Sequence, residues 1–398
     1  MVSLYKRFSF ITIIVFVLLN LLTYLNILQG VWSDPFMIVI ATLFFSYIVY
    51  RMENHIQNQT SRHIINYDNL DILRYLFAIF VILLHMRPFL NYNDGLDLAF
   101  NNIISRVCVP FFFVTTGYFI SIKQKSDQDY IKKYIKKMLP MYLFWSLLYF
   151  PLGIHSIAEM GISPKLFPLA TLLGLFYLGT YYHLWYFPAL FFGLWILDHW
   201  LKRFSLKSLL ILSFLLLCFG ATETYYGIFP DFIQQLLSTY YFQIFYTTRN
   251  VLFFALFYIA MGYMIGHRKD SYVPYSFLKF ILSCFLLVAE AIILQLYDRL
   301  DSNILLSCVP LVYYLFISAS HTKTILPLPK SISLRDLYKY YYLLHPLVIF
   351  VVYWFHSTTS GDTMHVWTMI FLVIAITHLL SLMIIYLKKK IHSRKPST

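Results

Sequence analysis

Two residues in the stretch LDILRYLFAIFVILLHMRPF, residues 70–89, are of types that do chemistry inside a membrane. Arg74 and His85 interrupt an apolar run long enough to form a transmembrane helix. They lie about three helical turns apart, roughly 16 Å along the axis, so both fall on one helix face. Ionisable residues in a bilayer usually border a protein interior or a wet cavity, and an imidazole is the usual base for deprotonating a hydroxyl. We expect His85 to be such a base, although a lone histidine can also be a hydrogen-bonded packing residue.

A second group of cations could act on charged or polarised ligands. Arg106 begins the span RVCVPFFFVTTGYF, in which Pro110 and Gly117 permit a kink and close helix approach. The lysines of the loop KQKSDQDYIKKYIKKMLP occupy neighbouring helical positions before Pro140. These are Lys132, Lys133, Lys136 and Lys137. Such a patch either attracts lipid headgroups or binds a phosphorylated ligand.

Further polar residues mark the opposite end of the spans. His183 and Tyr186 in HLWYFPAL suit an interfacial aromatic belt or, alternatively, an acceptor pocket. Arg249 begins a helix at TTRNVLFF, and Glu290 lies toward the same side within its span. We expect these four residues to bind substrate. His345 is an isolated polar residue near the middle of another span.

Composition restricts the class of protein. Of 398 residues, 60% are hydrophobic and 12% are charged, against about a quarter charged in soluble domains. Repeated apolar runs of about 20 residues satisfy their backbone groups in a bilayer as helices. The sequence therefore predicts an all-α, polytopic membrane protein. The four cysteines lie in apolar spans without metal-ligand spacing, so we expect neither disulfides nor a metal.

Hydropathy predicts about 12 transmembrane helices. Two come first, at about 9–28 and 36–52, and a polar linker follows at 53–69. Ten more lie at about 70–89, 104–122, 138–154, 183–201, 207–222, 249–266, 276–296, 303–320, 338–356 and 366–387. The short run 167–180, which follows Pro164 and Pro168 and contains two glycines, is expected to be re-entrant or interfacial. The aromatic stretch 223–248 is expected to be a structured lid.

The net charge of +13 is interpreted as a topology signal rather than as a sign of nucleic-acid binding. With a cytoplasmic N-terminus and a re-entrant 167–180, most of the 31 lysines and arginines lie inside. Only Lys165, Arg249 and Arg299 then lie outside, apart from the arginines within or at the ends of spans. We therefore expect both termini, including the basic tail 389–398, to be cytoplasmic.

These motifs together resemble the acyltransferase-3 family of bacterial integral membrane acyltransferases. The resemblance covers about 70–388, preceded by two additional spans in 1–69. It rests on Arg74 and His85, on RVCVPFFFVTTGYF, on the basic loop and on HLWY, in that order. TTRNVLFF and YYLLHPLVI are most similar to the membrane half of the VanT-type serine racemases, without the racemase domain.

The resemblance implies transfer of an acyl group, usually acetyl, from cytoplasmic acetyl-CoA or another acyl-CoA to a hydroxyl of an extracytoplasmic glycan or glycolipid. In that scheme the lysines and Arg74 attract the phosphates of CoA, His85 activates the acceptor, and Arg106 stabilises the oxyanion. Two departures from the family pattern are Thr116 for serine, and Lys133 and Lys136 for arginines. Lysine lacks the bidentate fork that suits phosphate.

The alternative is a transporter of a small solute such as an amino acid, without acyl chemistry. The expected location is the plasma membrane.

Overall fold

The computed structural model describes residues 2–24, 34–61, 65–90, 92–268, 273–322, 334–359 and 366–393. Within these ranges the chain is helical and contains no strand. Sixteen α-helices are labelled in chain order: α1 (Val2–Tyr24), α2 (Pro35–Ser61), α3 (Tyr67–Met86), α4 (Asp94–Asp97), α5 (Cys108–Gln124), α6 (Tyr130–Glu159), α7 (Phe167–Leu173), α8 (Tyr186–Leu201), α9 (Leu206–Ala221), α10 (Asp231–Leu236), α11 (Phe242–Phe245), α12 (Leu256–His267), α13 (Ser276–Leu294), α14 (Cys308–Ser320), α15 (Leu334–Thr359) and α16 (Val366–Ser393).

Single 3₁₀ and π-helical turns extend several of these helices. The 3₁₀ turns are Ile104–Val107, Pro164–Leu166 and Tyr226–Ile228, and the π-helical turns are Leu98–Ile103, Gly174–Leu178, Leu237–Tyr241 and Val251–Ala255. The 223–248 stretch is therefore helical over most of its length, as expected for a structured element.

The predicted all-helical, multi-pass character is confirmed, but a count of about twelve spans is not. In the described part of the chain, six helices are long and apolar enough to cross a bilayer: Pro35–Asn58, Tyr67–Met86, Asp94–Gln124, Tyr130–Glu159, Ser276–Leu294 and Val366–Ile391. Several remaining apolar helices have 10–17 residues, fewer than the roughly 20 that a hydrocarbon core requires. Apolar composition alone did not reveal that these helices would be short.

The centre of the bundle is the contact between α5 and α12. A β-carbon on Gly117 would lie 2.1 Å from the carbonyl oxygen of Ile259, and one on Gly262 would lie 1.9 Å from that of Val114. Both positions therefore require glycine, because the two backbones touch there. Small residues at such contacts let membrane helices pack closely. Thr116 directly precedes the first of these glycines on α5.

Both ends of α3 are fixed by polar contacts. The Asn66 side chain accepts the backbone N–H groups of Asp68 and Asn69 and so caps the N-terminus. At the other end Arg87 adopts φ 45° and donates to the carboxylate of Asp97 at 2.6 Å. Since α3 carries Arg74 and His85, these two caps set the depth of both residues in the bundle.

The N-terminal pair α1 and α2 packs at the periphery against α13. Ile11, Val15, Val49 and Leu278 form a small separate core, and the Leu278 N–H donates to Glu53 at 2.8 Å. The two helices therefore pack on the outside of the main bundle, and the division of the chain at residue 69 stays a prediction. Parts of that region, 25–33 and 62–64, lie outside the described residues, as does 394–398 of the expected tail.

The short run 167–180 folds back against its neighbours. Its helix, Pro164–Leu178, has fewer residues than a full span needs, and the Tyr142 hydroxyl of α6 donates to the Leu175 carbonyl at 2.7 Å. A β-carbon on Gly179, at φ 80°, would lie 2.3 Å from the Trp185 nitrogen. The chain therefore turns tightly at Gly179 and delivers His183 and Tyr186 into the bundle.

Candidate functional site

A first cavity lies near the end of the bundle where α3, α6 and α15 begin, which we term the loop end. It has an empty volume of about 610 Å³. Its polar lining consists of Arg74, Thr116, Tyr134, Tyr186, Tyr338, Lys339 and Tyr342, among phenylalanine, leucine and methionine side chains. This loop-end cavity combines cations with an apolar surface and hydroxyl groups.

Arg74 is held firmly in the wall of the loop-end cavity. Its side chain donates to Asp71 at 3.0 Å, and the residue is only 6% exposed. The guanidinium carbon lies 5.0 Å from the Phe119 ring centre and 5.1 Å from that of Tyr338. Both rings lie within the roughly 6 Å at which an aromatic face attracts a cation. Arg74 can therefore present its positive charge at a fixed place.

Thr116 lines the same cavity and lies beside Tyr186. The Thr116 hydroxyl donates to the Phe112 carbonyl at 2.9 Å and lies 3.4 Å from the Tyr186 hydroxyl. The first bond is the local bond to the preceding turn that threonine commonly forms in helices. The second places two hydroxyl groups together in the cavity wall.

His85 lies about three turns further along α3 and borders a second cavity, which we term the far cavity. This cavity has an empty volume of about 1040 Å³ and is also lined by Tyr181, Tyr182 and residues of α15. The His85 side chain is exposed, and its ring centre lies 4.6 Å from that of Tyr182. A hydroxyl-bearing ligand in the far cavity can therefore reach this imidazole directly.

Three imidazole rings stand between the two cavities, and we term them the histidine bridge. The rings of His85 and His345 are stacked at 5.5 Å with an interplanar angle of 17°. His183 follows, 5.7 Å from His345 and 5.6 Å from Tyr342. The Tyr342 hydroxyl donates to the backbone carbonyl of His183, and Tyr342 itself lines the loop-end cavity. The bridge thus connects the two cavities through a series of aromatic rings whose centres are separated by similar distances.

The bridge contains buried nitrogen atoms that lack partners. His345 donates through Nδ1 to the Tyr341 carbonyl at 2.9 Å, so the Nε2 of the neutral ring is an acceptor. Among the described residues, this Nε2 and both ring nitrogens of His183 have no hydrogen-bond partner. His345 is 0% and His183 3% exposed. Leaving a buried polar atom unpaired costs about 1–3 kcal/mol, which a purely structural histidine would avoid.

Arg106 and Arg249 lie within electrostatic range of His85, although neither of them lines the far cavity. Among the residues that the structure describes, Arg106 donates hydrogen bonds only to amide oxygens, those of Asn303 at 3.4 Å and Asn102 at 3.5 Å. Asn303 in turn donates to Asp301 at 2.6 Å. These long contacts leave the guanidinium able to bind a developing negative charge.

The neighbouring loop is held by Glu223, which accepts the Thr248 hydroxyl. Burial raises the pKa of the Glu223 carboxyl above its usual value. Arg249, the next residue after Thr248, is exposed. The contact between Glu223 and Thr248 therefore fixes the backbone from which Arg249 extends.

Glu290 lies apart from both cavities. Its two carboxylate oxygens accept the backbone N–H groups of Leu306 at 2.7 Å and Ser307 at 2.8 Å, and it also accepts the Tyr225 hydroxyl. These donors lie at the start of α14, where a carboxylate satisfies free N–H groups and the helix dipole. The position of Glu290 suits a helix cap rather than the expected substrate contact.

The four lysines of the basic segment lie in the first turns of α6 rather than in a loop, and they divide into two pairs. Lys132 binds Asp129 at 2.9 Å and Lys133 binds Asp127 at 2.7 Å, so their charges are partly neutralised. The hydrogen bond from Lys132 holds the pKa of Asp129 below its usual value.

Lys136 and Lys137 are exposed and form no ion pair with any residue that the structure describes. Lys137 acts electrostatically on Lys339 of the loop-end cavity.

The structure thus brings together some of the residues expected from the sequence and separates others. His85 and His183 both contact His345 in the histidine bridge, and Arg74 shares a cavity with Tyr186. The sequence pattern alone assigned no role to His345 or Tyr342. The sequence feature that could have identified both residues is YYLLHPLVI, in which a tyrosine and a histidine three positions apart precede a proline within a span.

Comparison with known proteins identifies relatives of the chain. Residues 67–386 match the acyltransferase domain family. An amino-acid racemase from Enterococcus faecalis is 29% identical over 299 residues, which cover 72% of this chain and 41% of that protein. A serine/alanine racemase from Enterococcus gallinarum is 28% identical over 293 residues, covering 70% and 40% of the two chains. No solved structure matches significantly.

The aligned regions span less than half the length of these curated relatives. The family match, in contrast, covers most of this chain, including both cavities and the histidine bridge. It also agrees with the several long apolar helices of a multi-pass membrane protein. The chain therefore belongs to the acyltransferase-3 family of membrane proteins.

Proposed function

We propose that the protein transfers an acyl group, most simply acetyl, from cytoplasmic acyl-CoA to a hydroxyl of an extracytoplasmic glycan or glycolipid. The observation that carries this proposal is the pair of cavities at different depths, separated by the histidine bridge. The loop-end cavity has the cations that a phosphorylated donor requires, and the far cavity has an accessible imidazole. Donor and acceptor sites on opposite sides of one wall suit group transfer across a membrane.

At the loop end, Arg74 and Lys339 would attract the phosphates of CoA, assisted by the exposed Lys136 and Lys137. The pantetheine arm would then lie against the apolar wall beside Thr116 and Tyr186 and extend along α3, so that its thioester reaches His85, roughly 16 Å from Arg74 along the helix axis. Lysine binds phosphate as a point charge and arginine as a planar fork, so the two kinds of cation support different parts of the donor.

At the far cavity, His85 would take the proton of the acceptor hydroxyl as the oxygen attacks the thioester carbonyl. The new C–O bond forms, the C–S bond breaks, and the thiolate receives a proton to give CoA. Arg106 would stabilise the negative charge that develops on the carbonyl oxygen. Arg249, which is exposed near His85, would contact the acceptor.

A second candidate function is transport of a small solute such as an amino acid. The observation in its favour is that curated relatives matching this region are racemases of amino acids. In that case Arg106 or Arg249 would bind a carboxylate and the histidines would exchange protons with the solute. A transporter needs no acyl-CoA, which separates the two functions experimentally.

The test is to incubate membranes containing the full chain with acetyl-CoA labelled in the acetyl group. We expect release of free CoA together with label in a glycan or glycolipid fraction, and loss of both when His85 is replaced by glutamine. Uptake of a labelled amino acid, without CoA release, would instead identify a transporter. The matched control is His199→Gln, since His199 is exposed and lies outside both cavities.

A further inference from the structure

A third cavity lies beside the loop-end cavity, between the start of α15 and the end of α16, and we term it the side cavity. It has an empty volume of about 490 Å³ and is lined by Asp336, Tyr340, Ile385, Lys388 and Lys389. Its size is within the range of small-molecule sites, and its lining combines two cations with a carboxylate and an aromatic ring. The donor contacts proposed above leave this cavity without a role.

The side cavity adjoins the loop-end cavity at one turn of α15. Lys339 lines the loop-end cavity, whereas its neighbours Asp336 and Tyr340 line the side cavity. The Lys339 ammonium lies 3.9 Å from the Asp336 carboxylate and 4.6 Å from the centre of the Tyr340 ring. Lys388, on α16, acts electrostatically on Lys339. A ligand that extends past Lys339 can therefore occupy both cavities at once.

We propose that the side cavity binds the adenosine 3′-phosphate part of acyl-CoA, with Lys388 and Lys389 holding the 3′-phosphate. This inference rests on the proposed function and specifies which part of the donor the protein recognises. CoA carries its groups in a fixed order: adenosine with the 3′-phosphate, the pyrophosphate, the pantetheine arm and the thioester. The protein presents suitable surfaces in the same order: the side cavity, Lys339 with Arg74, the apolar wall of the loop-end cavity and His85.

The lining of the side cavity offers a partner for each part of this nucleotide. Its two lysines are point charges suited to a phosphate monoester, which carries nearly two negative charges at neutral pH. Tyr340 and Ile385 supply an aromatic ring and an aliphatic side chain against which an adenine base packs. The Asp336 carboxylate accepts hydrogen bonds when ionised, so it can bind the adenine amino group. An anionic lipid headgroup would engage the lysines alone.

The lysines at the end of α16 differ in whether they reach this cavity. Lys388 and Lys389 line it, whereas Lys390, the next residue, is exposed and does not. A run of lysines that only fixed the orientation of the last helix would need no such difference. The run therefore contains its own control position for the proposed contact.

The test compares two donors that differ only in the phosphate concerned, acetyl-CoA and acetyl-3′-dephospho-CoA. Incorporation of labelled acetyl is measured in washed membranes that contain the full chain and its acceptor, and KM and kcat are determined for each donor. For wild type we expect KM to be about 10- to 100-fold higher for the dephospho donor, the usual contribution of hydrogen bonds to a charged group. The two kcat values should be nearly equal, because the phosphate is remote from the thioester.

Lys388→Gln and Lys389→Gln, singly and together, should reduce this discrimination, and the double variant should lose most of it. Lys136→Gln with Lys137→Gln is the matched control, because it removes the same charge outside the side cavity. It should change KM for both donors by the same factor. Lys390→Gln should keep the wild-type ratio of the two KM values. Each ratio compares two donors on one protein, so it does not depend on how much of a variant folds.

The outcomes separate the subsite from the proposed function. Equal KM values for the two donors on wild type would overturn the subsite while acyl transfer stands. Wild-type discrimination in the double variant of Lys388 and Lys389 would do the same, since it is the result expected of lysines that bind only lipid headgroups. Equal loss of discrimination in the variant of Lys136 and Lys137 would reveal a diffuse effect of charge and also overturn the subsite. Absence of incorporation from either donor would overturn the proposed function itself, and the subsite with it.

Discussion

At the scale of single residues, the chemistry depends on which side chains are free to react. His85 is exposed to a cavity, while Arg74 contacts two aromatic rings and a carboxylate. Glu290 has both oxygens occupied by backbone donors. An ionisable residue in a membrane span can therefore serve catalysis or local structure, depending on which partners its side chain contacts.

Replacing His85 by glutamine should abolish most acyl transfer while preserving membrane insertion and abundance. Glutamine is of similar size and still forms hydrogen bonds but is not a base. The rate should fall by roughly 10²–10⁴, the usual contribution of a general base, as measured by labelled acetyl transfer in membranes. Arg74→Lys is the comparison: it keeps a charge at the loop end and should weaken donor use more mildly. Near-normal transfer by His85→Gln would make His85 a packing residue.

Glu290→Gln should reduce stability without weakening substrate binding. The amide group cannot accept both N–H groups at the start of α14, so one of them loses its partner, at a cost of about 1–3 kcal/mol. The measurement is thermal unfolding of the purified protein in detergent, together with KM for donor and acceptor. A strongly raised acceptor KM at unchanged stability would restore Glu290 to the substrate site.

At the scale of structural elements, helix packing and helix ends position the reactive groups. The glycine contacts between α5 and α12 hold Thr116 in place, and the caps of α3 set the depth of Arg74 and His85. The tight turn at Gly179 brings His183 toward α15. The first turns of α6 contribute two lysines that are paired with aspartates and two exposed lysines that form no ion pair with a described residue.

That division predicts different effects for two double variants of the loop. Lys136→Gln with Lys137→Gln should raise KM for acyl-CoA more than it lowers kcat, the pattern of lost ground-state binding. Lys132→Gln with Lys133→Gln is the matched control and should have a smaller effect, because these lysines are already paired with aspartates. Steady-state kinetics with varied acyl-CoA measures both. An unchanged KM with a collapsed kcat in the first variant would contradict a docking role.

At the scale of the whole molecule, the bundle separates two cavities by a narrow wall of histidine and tyrosine. The cation-rich cavity lies at the end that carries the basic loop, in keeping with a cytoplasmic donor site. The first two helices pack outside this arrangement, against α13. The molecule is thus organised around the α3, α8 and α15 segments that supply the histidine bridge.

The charge distribution predicts the orientation of the chain. Because basic residues favour the cytoplasmic side, both termini should be inside and the turn after α6 outside. Reporter fusions at residue 160 and at the C-terminus should therefore report opposite sides of the membrane. Finding both positions on the same side would refute this topology and the assignment of the donor cavity to the cytoplasm.

The sequence by itself determined the membrane class, the helical fold, the family and the pairing of Arg74 with His85 on one face. These properties follow from local composition and helical periodicity, which depend on neighbours along the chain. Tertiary structure decided the rest. The partners of Glu290 lie in the Leu306–Ser307 turn, and His85 meets His345 across some 260 residues. Such contacts depend on helix packing in three dimensions, so a linear pattern cannot distinguish a capping carboxylate from a substrate ligand, or an isolated histidine from a bridge.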